Sequence, residues 1–494
     1  MTNQRTRKSL LFALATSAVA ATLAAPAQAA PVASPALHWK PCADAPTREC
    51  ADLSVPVDYR APDGPRARLA VSRLRTDHPE ARRGTLLLIP GGPGGSGFDL
   101  LEQKGEAMRG ETGGAYDIVS FDPRGTGTHG SSLADCGLDK GDLEISSYIP
   151  WPGPDGDIGE NAARGRRIAD ACARNGGPLL RSFTSANEVR DVELLRQALG
   201  ERKLSVYGVS YGTYVTAQYA QQHPDRTDRV VLDSSGDPDP TRVARGWLAN
   251  MAVGVEDRFP DFAKWASTPG NPDRLADTPV AVQPVFLSLA AKLDASPRKF
   301  VDGHELTGNR LRMGLLQTLH SDKDFAPLAK LIRAARDTAD EEKLTVPDVL
   351  PFAVSQSDAA VRTATICNDV AWPKSLPAYR RAVAADRIRH PLTAGMPVSV
   401  MPCAFWKDEP ADKPGRITSR GPSNILMAQN LRDPNTPHSG ALKMREALGE
   451  RARLVTVDSG GHQAYLANGN ACGDRTVSAF LKTGQRPAED VVCR

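Results

Sequence analysis

The chain has 494 residues, 24% of them charged, with a formal net charge of +3 and eight cysteines. This length admits one large domain with an insertion, or two domains. With neither low-complexity tracts nor a visible short repeat, the composition excludes a fibrous, disordered or solenoid chain.

Residues 1–29 read as a signal peptide. Arg5, Arg7 and Lys8 precede an apolar run from Leu10 to Ala25, and Ala27-Gln28-Ala29 supplies a small-residue cleavage pattern. A membrane anchor is the alternative, disfavoured by the shortness of the run and the lack of a stop-transfer flank. Without an Arg-Arg pair, the general secretory route is the simpler expectation. Losing Arg5, Arg7 and Lys8 leaves 58 basic and 58 acidic residues. Such a neutral chain has no electrostatic footprint for nucleic acid.

Cys42, Cys50, Cys136, Cys172, Cys367, Cys403, Cys472 and Cys493 all lie beyond the expected cut. An even number in an exported chain argues for disulfides, and the absence of a C-x-x-C pair argues against zinc. Pairing of nearest neighbours (42–50, 136–172, 367–403, 472–493) is the expectation. No cofactor is called for.

In chain order, Leu53–Tyr59 is extended in pattern and alternation resumes over Ala67–Leu74. Thr85–Pro90 is a short continuous apolar run, the pattern of a strand buried on both faces. It ends in the glycine loop Gly91–Gly97. Tyr116–Asp122 reads as another buried strand, turned by Pro123–Gly127. Asn187–Leu199 has helical spacing, and Leu204–Tyr207 and Arg229–Ser235 are further strands. Strands alternating with helices predict an α/β class with a mostly parallel sheet covered by helices on both faces. Residues 236–358 are helical in pattern and read as a lid inserted between core segments 30–235 and 359–494. An independent helical domain is the alternative. Strand-like segments return at Ala360–Ile366, Val398–Ala404, Asn424–Gln429 and Ala452–Val457.

Gly208-Val209-Ser210-Tyr211-Gly212 lies between a strand and a helical segment. This is the G-x-S-x-G elbow, a sharp turn that leaves its serine exposed. A serine hydroxyl needs a base, and the base needs a third group to orient it. On such folds the order is Ser, acid, His. His38, His78 and His129 precede Ser210; His223 ends the elbow helix; His304 and His320 lie in the helical block, and His390 precedes the last two strands. Of His438 and His462, His462 stands in Asp458-Ser-Gly-Gly-His462, directly after a late strand. Asp433 follows the preceding strand by a short loop, so Asp433 as acid and His462 as base is the economical solution. The oxyanion donors expected are the Tyr211 and Gly92 backbone amides. The glycine loop lacks the Lys-Ser/Thr ending of a phosphate cradle.

Pro90–Gly97, Asp122-Pro-Arg-Gly-Thr-Gly127, Gly208–Thr213, Asp433-Pro-Asn-Thr-Pro437 and Gly461-His462 together resemble the secreted tripeptidyl aminopeptidases of actinobacteria. These belong to the α/β-hydrolase group that also holds the prolyl aminopeptidases. The resemblance spans nearly the whole chain after the signal. It implies an α/β-hydrolase fold, a Ser210–Asp433–His462 triad and release of tripeptides from peptides with free N-termini. An extracellular monomer with no membrane contact after signal cleavage is the expectation. Pro90 stands where the prolyl enzymes usually have His, which favours the tripeptidyl side. A carboxylesterase with the same triad and a non-catalytic protein on this scaffold are the alternatives. An aminopeptidase needs a partner for the substrate ammonium. Glu256, Asp257, Asp358 and Asp369 are candidates in or after the helical block.

Overall fold

The computed structural model of the protein describes Met1 and residues 36–127, 129–144, 149–350, 352–413 and 415–494. Apart from Met1, the expected signal peptide lies outside the described residues.

The strands are β1 (Lys40–Pro41), β2 (Glu49–Pro56), β3 (Arg66–Leu74), β4 (Gly84–Ile89), β5 (Tyr116–Phe121), β6 (Leu204–Val209), β7 (Thr227–Asp233), β8 (Arg298–Lys299), β9 (Glu305–Leu306), β10 (Ile425–Arg432), β11 (Ala452–Gly460) and β12 (Val491–Cys493). The helices are α1 (Gly97–Glu111), α2 (Gly159–Asn175), α3 (Gly177–Arg181), α4 (Ser185–Ala198), α5 (Tyr211–Gln222), α6 (Val243–Trp265), α7 (Pro279–Ala295), α8 (Gly308–Thr318), α9 (Phe325–Asp337), α10 (Gln356–Asp369), α11 (Leu376–Arg389), α12 (His438–Leu448) and α13 (Ala471–Thr483).

Ten strands form one sheet in the order β1-β2-β3-β5-β4-β6-β7-β10-β11-β12. From β5 to β12 in that order neighbours run parallel, while β1, β2 and β3 pair antiparallel at one edge. The apolar run of β4 is explained by its two faces. Leu86 and Leu88 pack with α1 and α13, whereas Leu87 and Ile89 pack with α4 and α5. This is the α/β-hydrolase architecture expected.

Helices α6 to α11 lie between β7 and β10, with β8 and β9 as a small hairpin among them. Phe259, Phe262, Phe286 and Phe325 anchor an apolar cluster within this insertion. The strand readings at Ala360–Ile366 and Val398–Ala404 are corrected here: neither segment is extended. Ser355 caps α10 by accepting the Asp358 N–H, and Ala360, Ala364 and Cys367 fall on one buried face. Packing overrides the β-branched preference of Val361, Thr363, Thr365 and Ile366. The second segment holds parts of two short 3₁₀ turns, Met396–Val398 and Pro402–Phe405, each with proline in its opening turn. The sheet resumes at Ile425.

The disulfides are Cys42–Cys50, Cys136–Cys172, Cys367–Cys403 and Cys472–Cys493, the nearest-neighbour set. Among the described residues no helix is long and apolar enough to cross a membrane.

The Asp122–Gly127 motif braces the sheet edge next to the glycine loop. Asp122 accepts the Ser96 hydroxyl and the Gly97 N–H, both at 2.9 Å, and so caps α1. Arg124 makes two 2.7 Å bonds to Asp191 of α4 and donates to the carbonyls of Pro56 and Val57. Both charges are buried, with side-chain exposures of 4% and 1%. Removing one partner leaves the other charge without compensation. Arg124→Met is therefore expected to lower the unfolding free energy by about 3–5 kcal/mol. Adding Asp191→Leu should recover most of that loss. Urea midpoints of the single and double variants check this, and an unchanged midpoint for Arg124→Met would contradict it.

Candidate active site

Ser210 sits between β6 and α5 with φ 57° and ψ −125°, a conformation side chains avoid. Holding it costs on the order of 1–3 kcal/mol, so its surroundings must impose it. The Ser210 N–H donates to the Asp233 carbonyl at 2.9 Å, and the Ser210 carbonyl accepts from the Thr213 N–H (2.9 Å) and hydroxyl (2.6 Å). Glycine is required at 212, where a Cβ would lie 2.4 Å from the Ile89 carbonyl oxygen and 2.5 Å from that of Pro90. The start of α5 is thereby pressed onto the end of β4.

Asp433 follows β10 and is fully buried. His462 follows β11, and its Nδ1 lies 3.0 and 2.9 Å from the two Asp433 carboxylate oxygens. The carboxylate also accepts the Asn435 and Thr436 N–H groups at 2.9 Å and the Thr436 hydroxyl at 3.0 Å. Burial alone would favour a neutral Asp433, but His462 and these donors hold its carboxyl below the usual range. Burial likewise opposes a charged His462, and Asp433 outweighs it, lifting the imidazole above its usual range. Nδ1 is committed to Asp433, which leaves Nε2 for the cavity.

The loop carrying His462 is pinned from several sides. Asp233, at the end of β7, accepts the Ala464 N–H at 2.8 Å and the Tyr465 N–H at 3.0 Å. Asn430 donates to the Gly461 and Gln463 carbonyls at 2.9 and 2.8 Å. From the insertion, the His320 carbonyl accepts the His462 N–H at 3.0 Å. The two imidazoles meet edge-on, with centroids 5.7 Å apart. His320 Nδ1 donates to the Gln317 carbonyl at 2.8 Å and Nε2 accepts from Asn435 at 2.5 Å, which fixes a neutral tautomer. Burial, aided by His462, lowers its pKa to about 4.

Ser210, Tyr211, Gly92 and His462 all line one cavity of about 400 Å³, within the usual range of small-molecule sites. The glycine loop lies against the serine, since a Cβ on Gly91 would come 2.9 Å from the Ser210 Cβ. The insertion supplies much of the opposite wall, including Trp247 and Met251 of α6, Leu316 of α8 and Ile366 of α10. Among the described residues on this wall the formal charge is a cation, Arg362, and there is no carboxylate.

The four carboxylates considered for an ammonium lie elsewhere. Glu256 stands 3.8 Å from His390. Asp257 faces His438. Asp358 lies in the first turn of α10, and Asp369 accepts the Ser185 N–H and hydroxyl at 2.8 and 2.5 Å. His438 opens α12 and bonds Thr456 at 3.0 Å, away from the cavity. Among the described residues no cluster of His, Cys, Asp and Glu could hold a metal.

The arrangement suits acyl transfer: a strained, accessible hydroxyl, an imidazole–carboxylate pair, and backbone amides on the same wall. Sequence reasoning missed Asp233, His320, Asn435 and Arg362. Asn435 lies inside the Asp433–Pro437 motif and could have been noticed there. Asp233 ends a recognised strand. His320 and Arg362 carry no local signal, because only the folded insertion brings them to the wall.

Comparison with known proteins agrees with this geometry. Residues 84–313 match the family model described as alpha/beta hydrolase fold, and residues 391–493 the model described as TAP-like protein. A tripeptidyl aminopeptidase of Streptomyces lividans is 31% identical over 94% of this chain and 88% of its own length. Serine protease Hip1 of Mycobacterium tuberculosis is 25% identical over 92% of this chain and 91% of its own. Carboxylesterase B of the same organism is 28% identical over 94% and 91%. The chain is a hydrolase and belongs to the tripeptidyl aminopeptidase family of α/β-hydrolases.

Proposed function

We propose that the protein is a secreted serine exopeptidase that releases tripeptides from the free N-termini of peptides. The observation that carries this reading is the Asp433–His462 pair opening onto the same cavity as the strained Ser210. Ser210 Oγ attacks the scissile carbonyl carbon while His462 Nε2 takes its proton. The carbonyl oxygen becomes an oxyanion, met by the Gly92 and Tyr211 N–H groups. On collapse the C–N bond breaks, and His462 returns the proton to the leaving amine. Water then repeats the sequence on the acyl-enzyme, releasing the tripeptide and restoring the Ser210 hydroxyl. Asp433 fixes the His462 tautomer and offsets the charge that forms on the ring.

With no carboxylate on the described wall, the substrate ammonium is assigned to neutral acceptors such as the Gln317 side chain. The lack of a carboxylate among the described lining residues also favours a second reading, a carboxylesterase using the same three residues, in line with the 28% identical relative.

A tripeptide 4-nitroanilide with a free amine is expected to be cleaved, its N-acetylated form to resist, and Ser210→Ala to abolish turnover. Retained turnover in Ser210→Ala would sink the serine mechanism. Hydrolysis of short acyl esters with no cleavage of any free-amine peptide decides for the esterase. For export, sequencing of protein recovered from culture medium should begin at Ala30.

The pH dependence follows from the shift on His462. The base works only when neutral, and Asp433 raises its affinity for the proton, so kcat/KM should fall with decreasing pH at a midpoint above the usual imidazole value. Asp433→Asn is expected to move that midpoint down and to cost roughly 10³–10⁴-fold in kcat. A midpoint that stays in place in Asp433→Asn would show that another group controls the acid limb.

A further inference from the structure

Behind the elbow, four polar side chains form one line, buried at Glu188, Tyr211 and Ser185 and half-buried at Asp369. The Tyr211 hydroxyl oxygen lies 3.1 Å from Glu188 Oε2 and 2.8 Å from Ser185 Oγ, and Ser185 Oγ lies 2.5 Å from Asp369 Oδ2. Each of the three contacts requires a hydrogen, yet Tyr211 and Ser185 bring only two between them. The third must sit on one of the terminal carboxyl groups.

The surroundings decide which. Asp369 accepts two bonds from Ser185, the first residue of α4, so its charge sits at a helix N-terminus where an anion is favoured. Glu188 is buried, and its Oε1 has no hydrogen-bond partner among the described residues. An ionised carboxylate with an orphaned oxygen in a dry interior is costly; a carboxylic acid there is much less so. Asp191 and Asp369 face Glu188 with like charge. The cation nearby, Arg124, is already held by Asp191 at 2.7 Å.

We propose that Glu188 is a positioning residue that keeps its proton through neutral pH and donates it to Tyr211, holding the first residue of α5 in place. The inference rests on the reading of Ser210 as nucleophile and of the Tyr211 N–H as an oxyanion donor. Tyr211 in turn donates to Ser185, and Ser185 to Asp369, so all three contacts are satisfied in one direction. Burial pushes Glu188 up to about 8, ahead of the opposing Tyr211 bond, while burial raises Asp369 only to about 6 against its two Ser185 bonds. Above the Glu188 midpoint the proton is lost. Tyr211 must then give its own hydrogen to the new anion, and its contact with Ser185 fails.

The experiment follows labelling of Ser210 by an uncharged fluorophosphonate from pH 6 to pH 10, since that reagent has no amine to titrate. In the wild type the maximal labelling rate is expected to fall about tenfold across an alkaline inflection, a fraction of what a lost oxyanion donor costs. Glu188→Ala should lose about tenfold at pH 7 in that rate, with little change in reagent affinity. Glu188→Gln, whose amide donates at every pH, should recover most of that loss and erase the inflection. Tyr211→Phe keeps the backbone N–H and removes the hydroxyl, so it too should lack the inflection. A wild-type profile without the inflection, or an inflection that persists in Glu188→Gln or Tyr211→Phe, overturns the proposal. Labelling that survives Ser210→Ala instead overturns the parent reading.

Discussion

Asp233 joins the two halves of the site. Its carbonyl accepts the Ser210 N–H at 2.9 Å, and its carboxylate takes the Ala464 and Tyr465 N–H groups two and three residues past His462. The Tyr207 hydroxyl, from the strand that leads into the bend, donates to the same carboxylate at 2.6 Å. One fully buried residue at the end of β7 thus holds both the turn that exposes the serine and the loop that presents the imidazole. A charge this deep is tolerated because each oxygen meets donors on several sides. The placement of Ser210 relative to His462 is therefore tied to the sheet.

The parts of the fold legible in the sequence were those where local pattern and tertiary environment agree. Thr85–Pro90 reads as a doubly buried strand because both faces of β4 do meet helices. The elbow was legible because a close approach of backbone admits only glycine at 212. The pairing of Asp433 with His462 was legible because both follow late strands, and loops at the ends of such strands have few places to go. The strand readings at 360–366 and 398–404 failed for the converse reason. Val361, Thr363 and Thr365 look extended in isolation, but α10 is held by a cap at Ser355, a buried small-residue face and the Cys367–Cys403 bridge.

The same logic accounts for what the sequence left silent in the site. Asp233, Glu188 and Asp369 are acidic residues without a motif, and only their partners give them meaning. Asp369 was considered as a ligand for an ammonium and is instead the anion at the N-terminus of α4. The wall supplied by the insertion is largely apolar, with a cation and no described carboxylate, a property of how α6, α8 and α10 fold over the sheet.

The contact between His320 and His462 joins the insertion to the candidate site itself. The main-chain hydrogen bond from His462 to the His320 carbonyl means that the insertion lining the cavity also supports the imidazole. Insertion and imidazole are then not separable modules. Exchanging this insertion for that of a relative would change the support of the His462 imidazole along with the walls of the cavity.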